Sequence, residues 1–354
     1  MTTDLPRNVK RAGSAVTRRG FLASGAALGG AALLAACGSP QAKSSASGKA
    51  LKIVHVPKWT TFPYFQAANN GVKKAAGEIG ASLTYTGPNN PDAEQQVATL
   101  QSVVAQGPDI ILLSAIEPDN VAPVLKRAMA QGITVVTYDS DCRADARQLF
   151  CNQLTYELAA KTYLDAALMD DPRGGGVAYM AATPTTANHV GQIDAMRKLI
   201  RQGGKYGAFK DGKTYFVQDD VTQSVTTMTN IMQSDPSVRY VLSASAVSVP
   251  AAAQAIEAAG KRGQVWSTGA ALPSSIKKYL DDGTGKAFVL WNPSDLGYMA
   301  VYAAQQIHAG KLKVTPGTSW TAGSLGKFTV DAGNVTNYDR PLVFTKQNVS
   351  QYPW

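Results

Sequence analysis

A lysine set among aromatics, Lys58-Trp59-Thr60-Thr61-Phe62-Pro63-Tyr64-Phe65, directly follows a β-rich run at residues 52–56. Such a segment suits a ligand with C–H faces and hydroxyls, as sugars and polyols have. The rings of Trp59, Tyr64 and Phe65 can pack on the faces, and Lys58 can donate to an oxygen. Core packing also claims a share of these aromatics. Asp139 ends another apolar run, and Asp141 follows two residues later. A carboxylate at that point accepts two hydroxyl hydrogen bonds, and Lys58 could face it across a pocket mouth. Asp139 is assigned to the ligand; for Asp141, capping of its own loop is the simpler role beside ligand contact. Later, Thr183–His189 brings Asn188 and His189. Asn188 can donate and accept, and equally suits a helix N-cap. His189 offers one donor and one acceptor at neutral pH.

These residues share a position: each comes after a run that reads as a buried strand. From Leu51 onward strands and helices alternate. Residues 52–56, 82–85, 109–113 and 133–138 read as strands, and 63–79, 92–106 and 118–131 as helices closed by Gly80, Gly107 and Gly132. The rhythm restarts at residue 177 and runs to a long helix at 296–309, with an extended tail after it. Buried strands alternating with helices imply parallel sheets covered on both faces. Two α/β lobes result, with ligands expected at the carboxyl ends of the strands and in the cleft between lobes. Ser245–Ala252 and Trp291-Asn292 occupy further strand ends, which adds Asn292 to the candidates and places Pro250 at the first position of a helix.

The residue inventory excludes other chemistries. Three histidines, His55, His189 and His308, fall at positions unsuited to a shared metal or a catalytic triad. There is no G-x-S-x-G elbow and no P-loop, so an enzyme is not expected. Basic residues do not cluster with aromatics, so no nucleic-acid partner is expected.

The N-terminal region gives an address. Arg18-Arg19 precede Phe21-Leu22, a short run of small apolar residues, and Leu34-Ala35-Ala36-Cys37. The arginine pair reads as a twin-arginine export signal, and the run is too short and small-residue-rich for a span. Leu-Ala-Ala-Cys matches a lipobox, in which Cys37 takes a diacylglyceryl group and becomes the mature N-terminus. Residues 1–36 are thus expected to be removed and residues 37–50 to form a flexible tether. The protein is then expected to be exported and held by lipid alone on the outer face of the cytoplasmic membrane, or to be periplasmic. Of the +9 formal charge, +4 lies in residues 1–36, leaving a mildly basic body. Cys142 and Cys151 are nine apart; an oxidising compartment permits a bridge, and two buried thiols are the alternative.

The chain resembles the type I periplasmic solute-binding proteins, the ribose-binding-like group of ABC importers, nearest the autoinducer-2- and rhamnose-binding branch. Val56-Pro57-Lys58, Glu94-Gln95-Gln96-Val97, Ser114–Asp119, Tyr138–Asp141, Asn152-Gln153, Pro250–Ala255, Leu290-Trp291-Asn292 and Gly326–Val330 carry the likeness. The resemblance implies Lys58, Asp139, Asn188, His189, Pro250 and Ala252 in the pocket, no cofactor, an ABC permease with its ATPase as partners, and a monomer. Autoinducer-2 binding, or service as a sensor subunit of a chemoreceptor, is the alternative function. Asn188 and His189 stand where autoinducer-2 binders look like aspartate and glutamine, which points to a different small, neutral, hydroxylated ligand. The resemblance also implies hinge closure. It places residues 51–151 plus 293–323 in the first lobe and 152–292 plus 324–354 in the second, with chain crossings near Cys151–Gln153, Asn292-Pro293 and Gly323.

Overall fold

The computed structural model describes residues 50–352 and Trp354. The export signal, the tether up to residue 49 and the lipid-accepting Cys37 lie outside the described residues.

In chain order the first elements are β1 (Lys52–Val56), α1 (Pro63–Glu78), β2 (Ser82–Tyr85), α2 (Ala93–Ala105), β3 (Ile110–Leu113), α3 (Pro118–Ala130), β4 (Thr134–Tyr138), β5 (Leu149–Asn152) and α4 (Tyr156–Asp170). Next come β6 (Gly175–Ala181), α5 (Ala187–Gln202), β7 (Phe209–Lys210), β8 (Thr214–Phe216), α6 (Val221–Ser234), β9 (Val238–Ser243), α7 (Ser248–Ala258), β10 (Trp266–Gly269) and α8 (Pro273–Asp281). The chain ends with β11 (Phe288–Leu290), α9 (Pro293–His308), β12 (Ser319–Thr321), β13 (Lys327–Thr329), β14 (Val335–Asn337) and β15 (Leu342–Phe344).

The first lobe is a six-stranded parallel sheet, β14-β5-β4-β3-β1-β2. Its central strands, such as Ile-Ile-Leu-Leu in β3, are buried on both faces, as parallel strands under helices must be. The second lobe is a parallel sheet, β10-β9-β6-β7, with β8 also paired to β6. β11 and β15 form an antiparallel pair beside it, joined through a bridge from Ala270 to Val289. Capping sets the helix starts: Asp92 accepts from the Gln95 N–H at 2.9 Å, and Asp220 from the Gln223 N–H at 2.7 Å.

α9 returns to the first lobe and packs on α1 at close quarters. A Cβ added at Gly71 would lie 1.7 Å from the Ser294 carbonyl oxygen, and one at Gly297 would lie 2.3 Å from that of Ala68. Two side chains fewer let these backbones touch, so alanine at either position would push the helices apart. One apolar cluster runs from α1 and α9 through the hinge into the second lobe, so the two lobes share a core. A second covers the outer face of the first sheet under α2 and α3, and a third lies under α6 and α7.

Three expectations are corrected. The last crossing does not fall near Gly323: β14 is an edge strand of the first sheet, and the chain rejoins the second lobe only at β15. A three-residue strand, Val-Thr-Asn, has no periodicity to reveal it. Pro250 does not open its helix; α7 begins two residues earlier, at Ser248. Cys142 and Cys151 are both free, buried thiols. Cys151 points into the core shared with α9, whereas Cys142 belongs to the cluster under α3, so the first sheet stands between them. A disulfide needs adjacent Cβ atoms, which opposite faces do not provide.

Candidate functional site

All strands of both main sheets are parallel, so their carboxyl ends share one side and their outgoing loops converge. Lys58 and Trp59 follow β1, Asp139 follows β4, and Asn188 and His189 open α5 just after β6. Asp219 follows β8, Ser245 and Val247 follow β9, Ala270 follows β10 and Trp291 follows β11. Together with Tyr64 and Phe65 they line one pocket between the lobes, with a cavity volume of about 40 Å³.

The first-lobe wall is held by a prearranged hydrogen-bond chain that starts at Trp291, where the chain leaves the second lobe. Trp291 Nε1 donates to the Tyr64 hydroxyl at 2.8 Å, and that hydroxyl donates to Asp139 Oδ1 at 2.9 Å. The Ser114 hydroxyl donates to Asp139 Oδ2 at 2.8 Å. Each carboxylate oxygen thus has one fixed donor and keeps a lone pair for the ligand. Asp139 holds φ at +62°, a left-handed conformation that turns its side chain inward and that aspartate tolerates better than most residues. Burial raises its pKa above the ordinary carboxylate value, while the charge of nearby Lys58 pulls the other way, as do the two hydrogen bonds. The rings of Tyr64, Phe65 and Trp291 meet edge to face, with centroids 5.1 and 6.1 Å apart, and Trp59 lies 4.9 Å from Phe62. They form a rigid apolar surface against which C–H faces can lie.

The second-lobe wall supplies the opposite polarity. The Ala182 N–H donates to His189 Nδ1 at 3.1 Å, so the ring proton sits on Nε2 as a donor. Asn188 Oδ1 is buried without a hydrogen-bond partner among the described residues. The N-cap of α5 is Thr186, which frees Asn188 from the capping role open to it by sequence. Asp219 accepts from the Ser245 hydroxyl at 2.5 Å and holds φ at +50° next to Gln218 at +52°. Sequence reasoning does not single it out. The signal available is its place after a strand, which the apolar pattern shows only weakly because β8 is three residues long.

Four expected site residues do not line this pocket. Asp141 is held by Arg147, whose Nε and Nη2 donate to its two oxygens at 2.8 and 2.7 Å, and by the Thr137 hydroxyl at 2.6 Å. Asn292 caps α9, accepting from the Ser294 N–H at 3.0 Å. Ala252 is buried in the core under α7, and Pro250 stands on the same helix behind the strand-end loop. Among the described residues no group of three metal-ligating side chains occurs, and no helix is long and apolar enough to cross a membrane.

With this geometry in place, the comparisons with known proteins are informative. The periplasmic binding protein domain model matches residues 53–312. The chain belongs to the periplasmic binding protein family. Among solved structures of this family, a sugar ABC transporter protein of Actinomyces odontolyticus is 32% identical, with a TM-score of 0.72 over 86% of this chain and 98% of that one. A solute-binding protein of Clostridium phytofermentans with bound L-rhamnose is 27% identical, with a TM-score of 0.80 over 86% and 98%. LsrB of Clostridium saccharobutylicum, in complex with AI-2, is 25% identical, with a TM-score of 0.78 over 86% and 100%. The match to the curated xylose/arabinose-binding protein XylF of Sulfolobus acidocaldarius is 26% identical and spans 42% of this chain and 39% of that protein.

The site histidine carries a pH signature. Burial lowers the pKa of His189, and of His55 behind the pocket, from 6.5 to about 4. Between these values the unfolded chain binds protons that the folded chain refuses. Their contribution to stability is therefore complete above pH 6.5 and is lost as pH falls toward 4. Asp170, raised to about 7 by burial, acts in the opposite direction across the same window. The individual contribution is read from a variant: in His189→Gln the rise of Tm between pH 4 and 6.5 should be shallower than in the wild type. An unchanged slope would show that His189 titrates normally in the fold.

Proposed function

We propose that the chain captures a small, neutral, hydroxylated solute, a sugar or polyol, by closing its two lobes around it, and presents it to an ABC permease and its ATPase. The observation that carries this reading is the pocket itself. Asp139 and Lys58 from one lobe and His189, Asn188 and Asp219 from the other surround a space walled by Trp59, Tyr64, Phe65 and Trp291. Acceptors, donors and ring faces alternate, as a hydroxylated ring requires. The sugar-binding relatives support the same class. Asp219 compensates for the carboxylate that Asn188 lacks, from a different loop.

Calorimetric and thermal-shift titration with pentoses, hexoses, deoxyhexoses, polyols and autoinducer-2 tests the reading. A ligand at 100 times its Kd should stabilise the fold by roughly 2.7 kcal/mol. Binding confined to autoinducer-2 would favour the signalling alternative, and no binding across the panel would overturn the reading.

Closure has a visible device. Glu117, before α3 of the first lobe, accepts from the Thr185 hydroxyl at 2.6 Å and the Thr183 hydroxyl at 3.3 Å, both in the second lobe. These bonds exist only when the lobes meet. Glu117→Ala should weaken ligand capture by roughly 5- to 30-fold, chiefly through faster dissociation. An unaltered off-rate would remove the latch from the mechanism.

The reading includes attachment through a lipid on Cys37. Intact mass of the natively exported protein should correspond to a chain starting at diacylated Cys37; a chain retaining residues upstream of it would refute this part.

A further inference from the structure

The cleft does not end at the first cavity. A second cavity adjoins the first, and Lys58, Trp59 and Asp219 line both. Its volume, about 190 Å³, exceeds the about 40 Å³ of the first. Its walls come from both lobes, with Ile116 and Glu117 on one side and Thr183 and Gln218 on the other. The interlobe bonds from Thr183 and Thr185 to Glu117 cross at this point, so closure shuts the second space together with the first. Carboxylate, hydroxyl and amide groups alternate there with Pro91 and Ile116, the same mixture that lines the first cavity. The shared wall is also where the backbone is strained: Gln218 and Asp219 both hold positive φ, turning the loop after β8 toward the junction.

We propose that the ligand is an elongated glycoside of about disaccharide size. One ring lies in the first cavity against Asp139 and His189. The glycosidic link passes the waist formed by Trp59, Lys58 and Asp219, and a second hydroxylated unit lies against Glu117, Thr183 and Gln218. The proposal rests on the sugar-binding reading above and extends it to the size of the solute. Trp59 is placed to touch both units, and Asp219 can accept from a hydroxyl of either.

The test is competitive capture by the mature protein. The probe is an equimolar pool of D-ribose, L-rhamnose, D-fructose, D-allose, maltose, cellobiose, sucrose and lactose, with partially hydrolysed xylan and pectin, read by native mass spectrometry. The bound mass should be that of a disaccharide-class glycoside. In calorimetry it should bind at least about tenfold more tightly than its own constituent monosaccharide. Ala93→Phe, at the half-buried start of α2, projects into the second cavity only. It should abolish that advantage and leave the monosaccharide affinity as it was. Capture of a monosaccharide alone, with no gain from any glycoside, would overturn the proposal and leave the sugar-binding reading standing. A fully folded protein that captures neither size would overturn both.

Discussion

Asp139→Ala is expected to weaken ligand capture by roughly 30- to 1000-fold, corresponding to about 2–4 kcal/mol. The size reflects the groups that the carboxylate leaves behind. Tyr64 and Ser114 both donate to it, and Lys58 is close enough to counter the rise in its pKa. Without the carboxylate, two buried hydroxyls lose their common acceptor, as do the ligand hydroxyls, and the Lys58 ammonium loses a nearby counter-charge. Asp139→Asn separates charge from shape. It keeps the side-chain size and the left-handed backbone preference, and should retain more affinity than alanine while losing the charge-assisted part. Calorimetric titration of both variants with the ligand found by screening measures the effect, and thermal melts check that the fold survives alanine at φ +62°. Wild-type affinity in Asp139→Ala would move the binding site away from the first lobe's strand ends.

Much of this architecture is legible in sequence, because buried parallel strands are short apolar runs and their helices are closed by glycines. Lys58, Trp59, Tyr64, Phe65, Asp139, Asn188 and His189 can be found because each lies just past such a run, and the strand-end loops build the pocket. The same rule misleads at Asp141 and Asn292. Both are at strand ends, but each is consumed locally, by Arg147 and by the first turn of α9. Sequence shows that a polar residue leaves a strand and not whether a neighbour has already claimed it. Pro250 and Ala252 enter by likeness to a motif, and that likeness gives no information about which way a helix face turns. β5, α4 and β14 escape the pattern for other reasons. α4 has little amphipathic contrast, since Tyr156 and Met169 lie on its exposed side while Asp170 is buried, and β5 and β14 are four and three residues long. Asp219 is the instructive omission, since a pocket residue on a strained turn breaks the local pattern by which its neighbours are recognised.

The structural counterpart of Asp139 is the ion pair two residues beyond it. Arg147→Met should destabilise the fold by about 3–5 kcal/mol, lowering Tm by roughly 5–8 °C. The Arg147 side chain is 2% exposed and that of Asp141 is 18% exposed. Its guanidinium donates twice to Asp141, and Nη1 also donates to the Gly333 and Asn334 carbonyls at 3.1 and 2.9 Å. One side chain thus fastens the pocket-lining loop after β4 to the turn that leads into β14, the edge strand contributed by the far end of the chain. Methionine keeps most of the apolar stem but leaves the Asp141 carboxylate without its counter-charge and the Gly333 carbonyl without its donor. Lysine cannot replace the fork that serves three acceptors at once. The cost comes mainly from the orphaned charge, so Asp141→Asn in the Arg147→Met background should recover part of the loss. Melts of the wild type, Arg147→Met and the double variant decide the matter. A loss under about 1 kcal/mol for the single variant, or no recovery in the double, would mean that solvent reaches Asp141 and that the loop is held by something else.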